Sequence, residues 1–332
     1  MRPSTRVPSL NPKGTAMKVA SLAWLYAFAA TIFTCTCFAQ VPAEIGEKLK
    51  VIGRTVEVTD TARLYEGRVL EFEPHADMNV ERDLRYGPYD ENLLDVFATA
   101  QKQAQLRPVL VYVPGGGYIN AVRRIPDSAF FDNLMVWAVR NGMIGVSMSY
   151  RVMPKNAWPA APEDVGVAVQ WIREQIVARG GDPKRIFLMG HSSGAAHVAS
   201  YVADERFHKA RGSGLAGALM LSGFYRLAPK TVGAPGPRRA YFGDDVIQYE
   251  ERSAQRGLLT RANQPPLMVG FAELDPPPTE SQAVQLNDAL CKAGHCPTFV
   301  RFAGHSHMSE MFSIGTADHS ISDSVLAFTR SH

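Results

Sequence analysis

The sequence is poor in cysteine, with four among 332 residues, and that scarcity excludes a small scaffold stapled by disulfides. No C-x-x-C pair and no Cys/His spacing of a zinc site occurs. Charge of one sign is also lacking: 35 basic residues face 32 acidic ones, a formal net charge of +3. Repeats of 20–50 residues and low-complexity runs are absent, which removes solenoids and arrays. There is no G-x-x-x-x-G-K-[ST] and no completed G-x-G-x-x-G, so nucleotide-phosphate loops have no support. What is present is 46% hydrophobic residues and 20% charged ones, the composition of a globular protein with material for a large core.

The small excess of positive charge sits at one end. Residues 1–39 hold Arg2, Arg6, Lys13 and Lys18 and no acid, and an apolar run from Val19 to Phe38 follows. A basic start, an apolar stretch and the exit Cys37-Phe38-Ala39 have the form of a secretory signal. Met17-Lys18 would make an alternative start. A membrane anchor is the competing reading, but no basic cluster follows Gln40. Cleavage near Ala39 leaves 293 residues with 31 basic side chains against 32 acidic ones, a net of −1. The apparent basicity is then an export label, so neither nucleic-acid binding nor a membrane span in the mature chain is expected. Cys291 and Cys296 remain and flank a four-residue turn. In an oxidising compartment that arrangement suits a short bridge, and two free thiols are the alternative.

Apolar strand-like runs alternate with helical periodicity along the rest of the chain, the pattern of a mostly parallel sheet covered on both faces. Strands are expected at 93–97, 108–113, 143–150, 185–189, 215–221, 266–271 and 298–302. Helices are expected at 130–139, 162–178, 195–201, 282–292 and 320–329. This predicts one α/β domain over 40–332, with 40–90 as an N-terminal extension and 224–262 as a small cap insertion.

The sharpest motif is Gly190-His191-Ser192-Ser193-Gly194, between a strand and a helix. G-x-S-x-G in that context is a nucleophile elbow, which presents Ser192 on a strained turn above the helix N-terminus. Upstream, Pro114-Gly115-Gly116-Gly117-Tyr118 follows a buried strand. Side-chain-free residues there let backbone N–H groups converge on a developing oxyanion, with the Ser193 amide as a second donor. A serine hydroxyl needs a base, and the base an orienting acid, in the chain order Ser, acid, His. Glu273 and Asp275 both follow the strand at 266–271, and Asp275 is the better acid because Pro276 and Pro277 stiffen its loop. His305 and His307 share the last loop, and spacing leaves both open as the base. Neither offers a third ligand for a metal site. His197, one turn into the elbow helix, reads as a packed residue.

These motifs, together with Tyr86–Val96, Ser149-Tyr150-Arg151, Trp158-Pro159-Ala160, Asp164-Val165 and Glu273-Leu274-Asp275-Pro276, resemble the α/β-hydrolases. Within them the resemblance is to the hormone-sensitive-lipase-like and bacterial carboxylesterase group, including BD-FAE-like and arylformamidase-like enzymes. It runs from about Tyr86 to the C-terminus. It implies the α/β-hydrolase fold and cleavage of a small-molecule ester by Ser192, Asp275 and His307, without cofactor or metal. The base choice rests on His307-Met308, where the family places its histidine before an apolar residue. The resemblance also makes Gly116 and Gly117 the oxyanion donors beside Ser193. Tyr118, Trp158 and Met308 flank the motifs and are expected either to line the substrate pocket or to pack in the core. Two departures stand out: Pro114 where the family usually has His, and Ser193 where Ala is commoner. Arylformamidase-like amide cleavage, and a non-catalytic binding module on the same fold, are the alternative functions.

Overall fold

The computed structural model describes residues 41–69, 77–101, 103–210, 212–233 and 236–332. The expected signal segment, residues 1–39, lies outside the described residues. Eight strands form one sheet: β1 (Met78–Arg85), β2 (Leu93–Thr99), β3 (Arg107–Val113), β4 (Ile144–Met148), β5 (Gly181–His191), β6 (Gly217–Leu221), β7 (Leu267–Leu274) and β8 (Thr298–Ser306). Their spatial order is β1-β2-β4-β3-β5-β6-β7-β8. The pairs β1/β2 and β2/β4 are antiparallel. All pairs from β4 through β8 are parallel.

The central strands show why the sequence reads as continuous apolar runs: a parallel sheet is covered on both faces, so no position faces water. Along β3, Val109, Val111 and Val113 point into one core layer while Leu110 and Tyr112 point into the other. The first layer is closed by α4 (Ala160–Gln175) and α5 (Ser193–Ala203), through Val165, Val169, Ile172 and Val198. The second is closed by α3 (Asp132–Arg140) and α12 (Ser320–Ser331), through Leu134, Met135, Ile321 and Val325. α1 (Ala43–Ile52) joins this second layer by Ile45 and Leu49.

The stretch expected as an N-terminal extension therefore holds α1, α2 (Thr59–Tyr65) and an edge strand. β1 escapes a reading by periodicity because it is Met-Asn-Val-Glu-Arg-Asp-Leu-Arg, with one fully buried side chain and exposed or half-buried ones beyond it. Charged side chains are also what protects an edge strand from unwanted pairing. Between β6 and β7, four short helices occur: α6 (Pro229–Val232), α7 (Pro237–Phe242), α8 (Tyr249–Arg252) and α9 (Ala254–Thr260). α10 (Pro277–Lys292) links β7 to β8, and Cys291 near its end is disulfide-bonded to Cys296. No helix among the described residues is long and apolar enough to cross a membrane.

Candidate active site

In open α/β sheets, sites gather beyond the carboxyl ends of the strands. Here the loops leaving β3, β5, β6, β7 and β8 bring Gly115–Gly117, Ser192, Ser222, Asp275 and His307 to that edge.

Ser192 stands between β5 and α5 with φ 55° and ψ −123°, outside the regions an L-residue prefers. Such strain persists only where the surroundings hold it. The Ser192 amide donates to Leu221 O at 2.9 Å, which ties the turn to β6. Gly194 is required beside it, because a Cβ there would lie 2.1 Å from Val113 O. Gly116, at φ 150°, faces the same restriction, since a Cβ would come within 2.3 Å of Asn120 O. Gly194 lets the start of α5 approach the end of β3, and Gly116 lets the glycine loop close on its own Asn120.

His307 Nδ1 lies 2.6 Å from Asp275 Oδ1, and both side chains are buried. With the carboxylate as acceptor, Nδ1 carries the proton and Nε2 is left as a lone-pair nitrogen. That Nε2 has no hydrogen-bond partner among the described residues. Asp275 Oδ2 accepts from the Ala272 amide at 2.9 Å and from Ser222 Oγ at 2.5 Å. Ser222 in turn lies 2.8 Å from Glu310 Oε2. Glu310 is wholly buried, and burial together with the neighbouring Asp275 pushes its carboxyl well above the usual range. Ser222 Oγ thus bridges the Asp275 and Glu310 carboxyls. His191 Nε2 donates to His307 O at 2.9 Å, and burial and His307 hold its imidazole well below 6.5, in the neutral form.

A cavity of about 620 Å³ opens over this edge. Its lining includes Ser192, His307, Gly115, Gly116, Gly117 and Met308. The amides of Gly116, Gly117 and Ser193 donate to no acceptor among the described residues. Apolar wall comes from Val122, Ile125, Phe131 and Phe224, and also from Val56 and Val58 of the N-terminal segment.

A model of the family described as BD-FAE matches residues 94–213. Esterase LipQ of Mycobacterium tuberculosis is 42% identical over 124 residues, which are 36% of this chain and 28% of LipQ. Phenmedipham hydrolase of Pseudarthrobacter oxydans is 33% identical over 137 residues, 37% of this chain and 26% of that protein. The matched region thus spans less than a third of the length of these relatives. Esterase B of Lactobacillus rhamnosis superposes with a TM-score of 0.65 over 87% of this chain and 95% of that one, at 16% identity. A truncated carbohydrate esterase from gut microbiota superposes with a TM-score of 0.63 over 78% of this chain and 99% of that one, at 16% identity. The chain has the α/β-hydrolase fold, and over residues 94–213 it is similar to the BD-FAE family and to these esterases.

The fold brings Ser192, His307, Gly116, Gly117 and Met308 around one cavity, with Asp275 behind His307 and Ser193 at the head of α5. Glu273 does not reach either histidine: it is partly exposed, accepts from the Gly304 amide at 2.8 Å and pairs with Arg301 at 2.9 Å. His305 does not line the cavity. β8 continues past the expected end at 302 and carries His305 into the core, between Ser309 (2.9 Å) and Ser320 (2.6 Å). Tyr118 and Trp158 do not line it either. Tyr118, turned by a φ of 70°, stacks 4.9 Å from Tyr241 and edge-on to His197. Trp158 is edge-on to Phe207 beneath the guanidinium groups of Arg206 and Arg252. Of their two expected places, both take the packed one. His191, Ser222 and Glu310 were not legible, since a histidine inside the elbow, a serine after a strand and an acid on the last loop carry no spacing signal. Nor were Val56 and Val58, whose approach depends on α1 and α2 folding back over the sheet.

Proposed function

We propose that this α/β-hydrolase is an exported serine carboxylesterase working through an acyl-enzyme. The observation that carries the proposal is the His307–Asp275 pair, with His307 Nε2 unpartnered in a cavity shared with Ser192 and the glycine loop. His307 Nε2 takes the Ser192 proton as Oγ attacks the ester carbonyl. The tetrahedral oxyanion is received by the Gly116, Gly117 and Ser193 amides, each donor contributing about 10²–10³ in turnover. Asp275 holds the imidazole in the useful tautomer and stabilises the imidazolium. His307 then hands its proton to the leaving alcohol, and water repeats the sequence on the acyl-enzyme.

Relatives named as esterases support ester cleavage, among them chlorogenic acid esterase of Aspergillus niger, 38% identical over 114 residues, 30% of this chain and 21% of that protein. The reading treats residues 1–39 as the export signal and 40–332 as one hydrolase domain with 224–262 as its cap. The N-terminal sequence of the protein recovered outside the cytoplasm is expected to begin near Gln40, and an intact Met1 or Met17 start there would refute export by cleavage. For the chemistry, Ser192→Ala is expected to lower kcat for 4-nitrophenyl acetate and butyrate by at least about 10³-fold. Unchanged turnover in that variant would refute the serine mechanism.

A further inference from the structure

Among the described residues, Arg238 is the one lining the active-site cavity that is an arginine, lysine, aspartate or glutamate. It lies on α7, and its guanidinium carbon sits 3.5 Å from the ring centroid of Phe224, which lines the same cavity. One N–H donates from Nη1 to Thr231 O at 2.8 Å. Nε is buried and has no hydrogen-bond partner among the described residues, and the guanidinium lies near the Tyr118 hydroxyl, whose burial-raised pKa it pulls down. Among the described residues no carboxylate pairs with Arg238, whereas its neighbour Arg239 is held by Asp244.

That arrangement is costly for a purely structural residue. Arg238 is half-buried, with its Nε shut off from water, and a buried N–H of a guanidinium is normally matched by an acceptor. An apolar wall would stack as well on a leucine or methionine. The planar fork is also the side chain best suited to a carboxylate, and it is already oriented by the Phe224 face and the Thr231 carbonyl.

We propose that Arg238 is a specificity-determining residue that receives a carboxylate carried by the ester substrate. The preferred substrates are therefore esters with an anionic group at one end and an apolar body against Phe224 and Phe131. The inference rests on the carboxylesterase reading above and adds the charge of the substrate to it. No covalent step is altered: the anion is bound, not consumed.

The test uses two matched pairs that place the charge on opposite sides of the scissile bond. The first pair is 4-acetoxybenzoate and its methyl ester, and the second is 4-nitrophenyl hydrogen adipate and 4-nitrophenyl hexanoate. For each, kcat/KM of the anion is divided by that of the neutral partner in wild type, Arg238→Gln and Arg238→Lys. A charge-assisted contact predicts that Arg238→Gln lowers this ratio about ten- to hundredfold in at least one pair, with partial retention in Arg238→Lys. The pair that responds identifies the acyl or the alcohol side. A ratio moved less than fivefold in both pairs overturns the proposal, even if the variant melts earlier, because a strut role moves stability and not charge preference. Binding of uncleaved 4-acetoxybenzoate to Ser192→Ala, with and without Arg238→Gln, repeats the comparison without turnover. Failure of the ester-hydrolase reading would instead appear as absent cleavage of both neutral esters in wild type.

Discussion

Asp95 and Asp275 are both fully buried, and the sheet surrounds them with opposite chemistry. Asp95, in β2, faces three guanidinium groups: Arg82 at 3.3 Å, Arg124 at 2.7 Å, and Arg123 in direct contact. Arg124 and Arg123 also reach Asp83 and pull its carboxyl down to about 2, while Arg82 also pairs with Asp132. The Asp275 carboxylate, beyond β7, meets no arginine side chain among the described residues. Its partners are the Ala272 amide, the Ser222 hydroxyl and one ring nitrogen of His307. Permanent cations satisfy Asp95 fully, so its charge does nothing further than lock β1, β2, the loop after β3 and the start of α3 together. Neutral donors fix Asp275 in place while leaving its charge available to an imidazolium formed during turnover. On the proposed mechanism, these two buried carboxylates separate into a structural and a chemical role by the charge of what surrounds them.

The contrast can be broken from either side. Asp275→Asn keeps volume and removes charge, and kcat for 4-nitrophenyl butyrate is expected to fall by about 10³–10⁴-fold with the fold retained by circular dichroism. Asp95→Asn should do the reverse. Leaving the arginines unmatched is expected to cost on the order of 3 kcal/mol in urea-unfolding free energy, while kcat of the folded fraction stays within about threefold. A variant pair with these effects exchanged would dissolve the distinction.

Acid stability sharpens the comparison by isolating the neutral network. His191 is held well below 6.5, His305 at about 4 and His197 at about 3, each by burial. Below pH 6.5 the unfolded chain takes up protons at these three sites and the folded chain does not, so their contribution is complete above pH 6.5 and lost as pH falls. Glu310 acts in the opposite sense, because its raised pKa lets the fold keep a proton that the unfolded chain releases above 4.5. The histidines, with His208 also lowered by burial, outnumber the one opposing acid, so stability is predicted to fall as pH drops from 6.5 to 5.5. Thermal unfolding across that range checks it, and His197→Phe should flatten the slope by about one proton. The smallest effect expected is that of Ser222→Ala, which removes one neutral donor from Asp275 and should lower kcat about tenfold. A loss as large as that of Asp275→Asn would mean that Ser222 touches the reaction itself.

Much of this was legible in the sequence where local chemistry is self-declaring. The elbow needs glycine at 190 and 194 because backbone meets backbone there, and buried parallel strands read as Val/Leu runs. The order Ser192, Asp275, His307 follows the strand order of the sheet. What was hidden depends on partners distant in the chain. β1 is an edge strand whose alternation is masked by charge. Arg54 donates to Asp275 O at 2.7 Å across 221 residues, so its place beside the acid has no local signature. The choice between His305 and His307 turns on how far β8 continues, since the strand buries one ring against Ser309 and Ser320 and leaves the next to meet Asp275. Periodicity does not report where a strand stops.

The central claim is that Ser192, activated by His307, becomes covalently acylated. Incubation with an organofluorophosphonate, followed by intact-mass analysis and peptide mapping, tests it most directly. The account predicts one adduct per chain, on the peptide containing Ser192, abolished by Ser192→Ala and strongly slowed by Asp275→Asn. Continued ester turnover with Ser192 unlabelled, or labelling that persists in Ser192→Ala, would contradict it.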